Sequence, residues 1–316
     1  MPHRFRFFLI LGLLSFVPLS QGHAQDITAF DFLRIPMNAR AAALGNTTVT
    51  LRNDVSTMFV NPASLSTLEA PSGSVGFFKH LLDVNAGYAV FGQEFEGIGY
   101  AGVGVVYLNY GSFEETDRFG DRTGREFGAG ELAVNFGYGR KSGDLHYGAT
   151  VKFIHAAYEE YSSSAAGLDL GIAYHFPDEQ LVLAGAVTNL GTQLSTFAGV
   201  DESLPLDVRI GIGKQLEHLP LHLLFNLHKL NESQESFFDR FKNFSLGGEF
   251  DLSDALKARV GYHNELRREL KIGNTAKLAG FSGGFGLKIS TYILDYAYNS
   301  LGEIGALHRF SLSTSF

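Results

Sequence analysis

The sequence has no cysteine and no tryptophan, it is short of positive charge, and beyond its first two dozen residues it has no long apolar run. Each absence excludes something. Without Cys there is neither a disulfide scaffold nor a thiolate metal site. Without a stretch of about 18 apolar residues the mature chain has no transmembrane helix, so a membrane-spanning form has to be a β-barrel. With 25 Lys and Arg against 33 Asp and Glu, the net charge is −8, a poor match for nucleic acid. What is present is 37 Gly, 28 Phe and 13 Tyr, a composition that suits strands, turns and aromatic girdles. A barrel of 316 residues is an ordinary single domain.

The N-terminus reads as a signal peptide, residues 1–24. Arg4 and Arg6 form a charged start, Phe7 to Val17 an apolar stretch, and Gly22-His23-Ala24 a small-residue site for cleavage after Ala24. The apolar stretch is shorter than the ~20 residues of a membrane anchor. Its removal leaves 23 basic against 33 acidic residues, a net charge of −10.

Period-2 alternation dominates residues 72–316. Leu168, Leu170, Ile172 and Tyr174 alternate with Asp169, Gly171, Ala173 and His175. Leu256, Ala258, Val260 and Tyr262 alternate with Lys257, Arg259, Gly261 and His263. Successive strand side chains point to opposite faces, so each segment has one apolar and one polar face. About fourteen such segments of roughly 9–12 residues occur, too long for a typical soluble sandwich and right for tilted membrane-spanning strands. Connections tend to alternate in length: 111–127, 191–205, 230–241 and 265–278 are long, whereas 141–144, 177–180, 252–254 and the turn near Ser290 are short. This is the pattern of extracellular loops and periplasmic turns, with both termini on the periplasmic side. The polar face carries Lys152, Asp169, Arg209, Glu249, Arg259, Asp295 and Arg309. Its mixed signs imply pairing inside a small or filled lumen.

Residues 25–71 do not alternate and read as a plug. Phe32 to Pro36 is extended; Asn38 to Leu44, containing Arg40, is a short helix closed by Gly45; Asn61 caps a second short helix that opens on Pro62 and Ala63. The fold class expected is therefore all-β: a transmembrane antiparallel barrel of about fourteen strands, 72–316, with an N-terminal plug that fills it or sits under it.

The stretches Phe30-Asp31-Phe32-Leu33, Ala39-Arg40-Ala41-Ala42-Ala43-Leu44-Gly45 and Asn61-Pro62-Ala63-Ser64-Leu65 resemble the opening of the PorV/PorQ family. Leu204 to Arg209, Gly213 to Pro220 and Tyr147 to Ile154 resemble its PorQ branch. The resemblance implies a barrel like the fatty-acid transporter FadL, residence in the outer membrane, and a non-enzymatic part in type IX secretion. There it would support attachment of cargo to lipopolysaccharide beside a PorZ-like surface protein. Only Asn61, Pro62 and Ala63 match a named motif, that of FadL-type plugs. The alternative function is a FadL-like channel for a hydrophobic solute.

Other motifs carry less. Gly280-Phe281-Ser282-Gly283-Gly284 fits the hydrolase pattern G-x-S-x-G, but Phe285 to Ile289 continue an alternating strand instead of opening a helix; the glycines read as relief of crowding in a curved wall. The 11 His show no paired ligand spacing, and His222 and His228 are too far apart along one strand to share an ion. The acidic run Glu114 to Asp121 lacks a full calcium-loop pattern and reads as a solvated loop, with Phe113, Phe119 and Phe127 either partner contacts or rim packing. No catalytic, cofactor or metal residue is expected.

The sequence ends on an alternating strand with Phe310, Leu312 and Phe316 on its apolar face. An unpaired terminal strand is a template for pairing until the barrel closes, and Phe316 is expected to mark it for the barrel-assembly machinery. Deletion of Phe316 should lower the outer-membrane level several-fold in cell fractions while the detergent-refolded barrel keeps its stability. Equal levels would leave Phe316 as one girdle ring.

Overall fold

The structure, a computed structural model, describes residues 28–80, 84–197, 199–232, 237–271 and 277–316. The expected signal peptide lies outside them. Fourteen antiparallel strands follow one another around a closed barrel: β1 (Ser72–Lys79), β2 (Asn85–Phe95), β3 (Gly99–Thr116), β4 (Arg122–Ser142), β5 (Leu145–Tyr158), β6 (Tyr161–Phe176), β7 (Leu181–Ser195), β8 (Asp207–Gln215), β9 (Leu221–Leu227), β10 (Phe244–Asp251), β11 (Leu256–His263), β12 (Phe281–Ile289), β13 (Tyr292–Ser300) and β14 (Ala306–Ser315). Closure is made by β1 on β14, in register from Ser72 opposite Ser315 to Phe78 opposite Arg309. No edge is left open, so each strand has a partner on both sides.

Alternation works here in the sense opposite to a soluble protein. Phe153, Leu170, Val260, Phe310 and Leu312 are exposed on the outer wall, while all seven charged residues expected on the polar face are buried inside. An apolar exterior around a polar interior is the wall of a barrel that faces lipid. Phe316 also lies outside, its ring 6.4 Å from that of Phe91 and its N–H donating to Pro71 O at 2.9 Å.

One end of the barrel carries the connections 80–84, 117–121, 159–160, 196–206, 228–243, 264–280 and 301–305; the other carries short turns. Two expectations need correction. Residues 111–127 are not a loop: β3 and β4 continue as a ladder that pairs Phe113 with Phe127 and turns only at 117–121. Both faces of this projection are exposed, so nothing there selects apolar residues and the alternation fades although the strands do not. The connection 159–160 is tight, against the rule of long loops at this end, because β5 and β6 also project together. Strand lengths run from the 7 residues of β9 to the 21 of β4, wider than the 9–12 expected.

Residues 28–71, ahead of β1, are compact and lie in the lumen. A 3-10 turn (Asp31–Arg34), helix α1 (Ala39–Ala43) and two more 3-10 turns (Val55–Phe59, Pro62–Thr67) form the plug. Phe32 to Arg34 are thus helical and not extended. Proline restrains only the residue before it, and that residue, Ile35, is the one in the β region, at ψ 125°. Phe30, Leu44, Met58 and Leu65 of the plug are fully buried, and its apolar side packs on Tyr88, Val90, Val106, Ala133 and Ile154 of the wall. The plug fills the barrel; it does not sit under it.

Candidate functional site

The site is the contact between plug and wall. Helix α1 starts with Asn38, whose Oδ1 accepts from Ala41 N–H at 3.1 Å. It ends in a Schellman turn, with Gly45 N–H donating to Ala42 O and Asn46 N–H to Ala41 O. Gly45 is at φ +64°, where an L side chain is strained. This turn presses α1 against the wall: Asn299 Nδ2 donates to Ala42 O at 2.8 Å and Ser282 Oγ to Ala43 O at 3.0 Å. The serine of the hydrolase-like motif is therefore a wall residue that holds the plug.

Arg40 leaves α1 toward the wall and forms a two-pronged pair with Glu249, Nε to Oε2 and Nη2 to Oε1, both at 2.9 Å. Its third contact is Asp54 at 3.2 Å. Glu249 also accepts from Arg259 Nε at 2.6 Å, and Arg259 reaches Asp295 at 2.5 Å. Strands β10, β11 and β13 are thereby tied to α1 and to the Asp54 segment by one buried network in which each charge faces an opposite one.

Asn61, Pro62 and Ala63 hold the other half of the plug. Asn61 Oδ1 accepts from Ala63 N–H at 3.1 Å and its Nδ2 donates to Val49 O at 2.8 Å. The helix Asn61 opens is a 3-10 turn with Pro62 first. Gly171 of β6 meets this motif: a Cβ there would stand 2.0 Å from Asn61 Oδ1. A Cβ at Gly148 would stand 2.6 Å from Pro62 O, and one at Gly284 2.7 Å from Ala43 Cβ. Gly148 and Gly171 are thus seats for the plug; of the glycines read from the sequence as relief of crowding in the wall, Gly284 also meets the plug, but its tightest approach is to Tyr296 O of the neighbouring strand at 2.2 Å.

Between plug and wall lies a cavity of about 60 Å³, bounded on its apolar side by Phe32, Ile35, Met37, Phe59 and Val106 and on its polar side by Asn38, Thr48, Asp54, Ser56, Asn135 and Thr188. Three cations at its edge are paired with carboxylates: Arg34 with Glu232 at 3.2 Å, Lys152 with Asp169 at 2.8 Å, and Arg209 with Asp207. An apolar void of ~150 Å³ is what takes a benzene ring, so this cavity, with the plug in this position, has no room for one.

The loop end holds a second cluster. Burial pushes the Glu265 carboxyl up, but hydrogen bonds and charge from His228 and Lys229 outweigh it and keep the group well below the usual carboxylate range. Burial also pushes Glu232 up, against the pull of Lys229 and Arg34. His263 joins His228 and Glu265. Spacing along β9 tests His228 only against His222 and does not reveal this grouping, because the partner comes from a strand two places away. On the projecting hairpin the acidic run is engaged by arginines, Glu114 with Arg122 at 3.0 Å and Glu115 with Arg125 at 2.5 Å, and Phe113 stacks on Phe127 at 5.5 Å. The rings of this pair pack on each other across the ladder, and Phe119 at the tip is exposed.

No protein-family model and no curated protein matches the sequence. Solved structures do match its fold. The Ralstonia pickettii toluene transporter TbuX superposes with a TM-score of 0.59 at 13% identity over 89% of this chain and 98% of that one. A Pseudomonas aeruginosa FadL homologue gives 0.55 at 12% identity over 89% and 98%. The Pseudomonas putida toluene transporter TodX gives 0.55 at 10% over 88% and 96%. The fold is that of FadL-like outer-membrane barrels.

Proposed function

We propose that the chain is an outer-membrane channel for a small, uncharged apolar solute, with residues 28–71 as its gate and the loop end outside the cell. The observation that carries this reading is the partly apolar cavity between plug and wall, whose lining cations Arg34, Lys152 and Arg209 are neutralised by protein carboxylates. A fatty acid needs a cation for its carboxylate; a neutral hydrocarbon needs only apolar surface, worth about 25 cal/mol per Å² buried. Passage then requires the plug to shift, since the cavity is too small as it stands. The solved neighbours named as toluene transporters share this barrel and support the same class of solute.

A second reading keeps the chain as a type IX secretion component that supports cargo attachment to lipopolysaccharide. It rests on the resemblance in the plug and mid-barrel sequence, and on a filled lumen beside a projecting hairpin that ends in exposed Phe119. One experiment divides the two. In a deletion strain, uptake of a radiolabelled neutral aromatic at low concentration should fall several-fold and return with the cloned gene, while uptake of a long-chain fatty acid and attachment of surface cargo stay unchanged. Normal aromatic uptake together with released cargo would overturn the channel and establish the secretion role.

A further inference from the structure

His228 follows β9 by one residue, His263 ends β11, and Glu265 lies in the first turn of helix α2 (Asn264–Glu269). Strand β10 runs between β9 and β11, so the two imidazoles lean toward each other across it. Their rings stand 4.6 Å apart at 40°. His228 Nε2 is 3.0 Å from Glu265 Oε2. One ligand atom from each of the three residues lies within 4.8 Å of the other two, and His228 and Glu265 are buried.

We propose that His228, His263 and Glu265 bind a divalent transition-metal ion, with Zn²⁺ the best chemical fit. Two imidazoles and one carboxylate are a zinc donor set, with the fourth tetrahedral position left to water. Ca²⁺ and Mg²⁺ take oxygen sets and are disfavoured by the imidazoles. Zinc bonds of ~2.0–2.1 Å place ligand atoms about 3.3 Å apart, so atoms within 4.8 Å of one another close on one ion by side-chain rotation alone. The metal replaces the proton between His228 and Glu265. It also displaces the bond from Leu266 N–H to His263 Nδ1, which is long at 3.3 Å: ligation through Nδ1 uses that lone pair, and ligation through Nε2 puts the proton on Nδ1. Lys229 Nζ, 2.6 Å from Glu265 Oε1, fixes the carboxylate from behind and opposes the incoming charge. The connections 228–243 and 264–280 both begin at this trio, so a bound ion would join their stems at the loop end of the barrel.

The test titrates untagged, metal-free protein, refolded in detergent, with Zn²⁺ against a chromophoric chelator. One ion should bind per chain. Affinity should fall at least tenfold in His263→Ala and in Glu265→Gln and rise in Lys229→Met, and Ca²⁺ should not compete. Zinc should slow proteolysis within 228–243 and 264–280 in the wild type only. Absence of saturable one-to-one binding by the wild type overturns the site and leaves the trio a salt-bridged loop anchor. So does binding that is undiminished in both ligand variants.

Discussion

Glu249→Ala is expected to unseat the plug. Glu249 is buried in β10 and, among the described residues, is the carboxylate that pairs with both the plug's Arg40 and the wall's Arg259. Its loss leaves two buried guanidiniums sharing Asp54 and Asp295. Each guanidinium keeps one carboxylate, Arg40 with Asp54 and Arg259 with Asp295, so the cost to the plug is the two charged hydrogen bonds from Arg40 to Glu249, at roughly 1.5–3 kcal/mol each. At about 1.4 kcal/mol per tenfold change, that raises the open population of the plug a hundredfold or more. Hydrogen exchange of Ala39 to Asn46 should speed up accordingly, and single barrels in planar bilayers should show openings that are rare in the wild type. Glu249→Gln, which keeps the volume and some hydrogen bonds, should fall between. Unchanged exchange in Glu249→Ala would mean that packing alone holds the plug and that the ion network is incidental to it.

Gly261→Val should have an effect at least as large, by a different cause. A Cβ at this inward position of β11 would stand 2.1 Å from Gly45 N and 2.4 Å from Leu44 C. These are backbone atoms and cannot rotate away. Overpacking that side chains absorb costs ~1–3 kcal/mol; here the whole α1 turn has to move. Gly45 is itself packed against β11, where a Cβ on it would stand 2.8 Å from Tyr262 N. The barrel should then either assemble with residues 28–71 open to protease or fail to reach the outer membrane. Gly283→Ala on the adjacent strand is the control, because its nearest neighbour is Arg259 O at an ordinary 3.6 Å. Seating of the plug in Gly261→Val as firm as in Gly283→Ala would refute the close-approach argument.

Legibility in the sequence tracked the physics of each contact. The lumen charges were readable because a strand has a strict period of two and the wall has two unlike solvents. Lys152, Asp169 and Arg259 sit between apolar neighbours, and the inside is the only place a barrel can hold them. The caps Gly45 and Asn61 were readable because capping is local chemistry; Asn38, read as the first residue of its helix, is instead its N-cap. The ladder beyond Gly111 was lost where both faces meet water, since the period then carries no signal.

The sequence by itself determined a count of about fourteen strands, the in-or-out sense of residues along the strands that alternate, and the presence of a short capped segment ahead of β1. These come from local periodicity and local hydrogen bonding, which need no knowledge of distant residues. Only the tertiary structure decided that this segment fills the lumen, that Arg40 meets Glu249 and not another lumen carboxylate, and that Gly261 and Gly171 are kept bare by the plug. It alone brought His228 to His263 and Glu265. Those contacts join residues far apart in the chain, and their partners are fixed by strand order, stagger and barrel closure. None of these three leaves a mark on the local pattern of hydrophobic and polar residues.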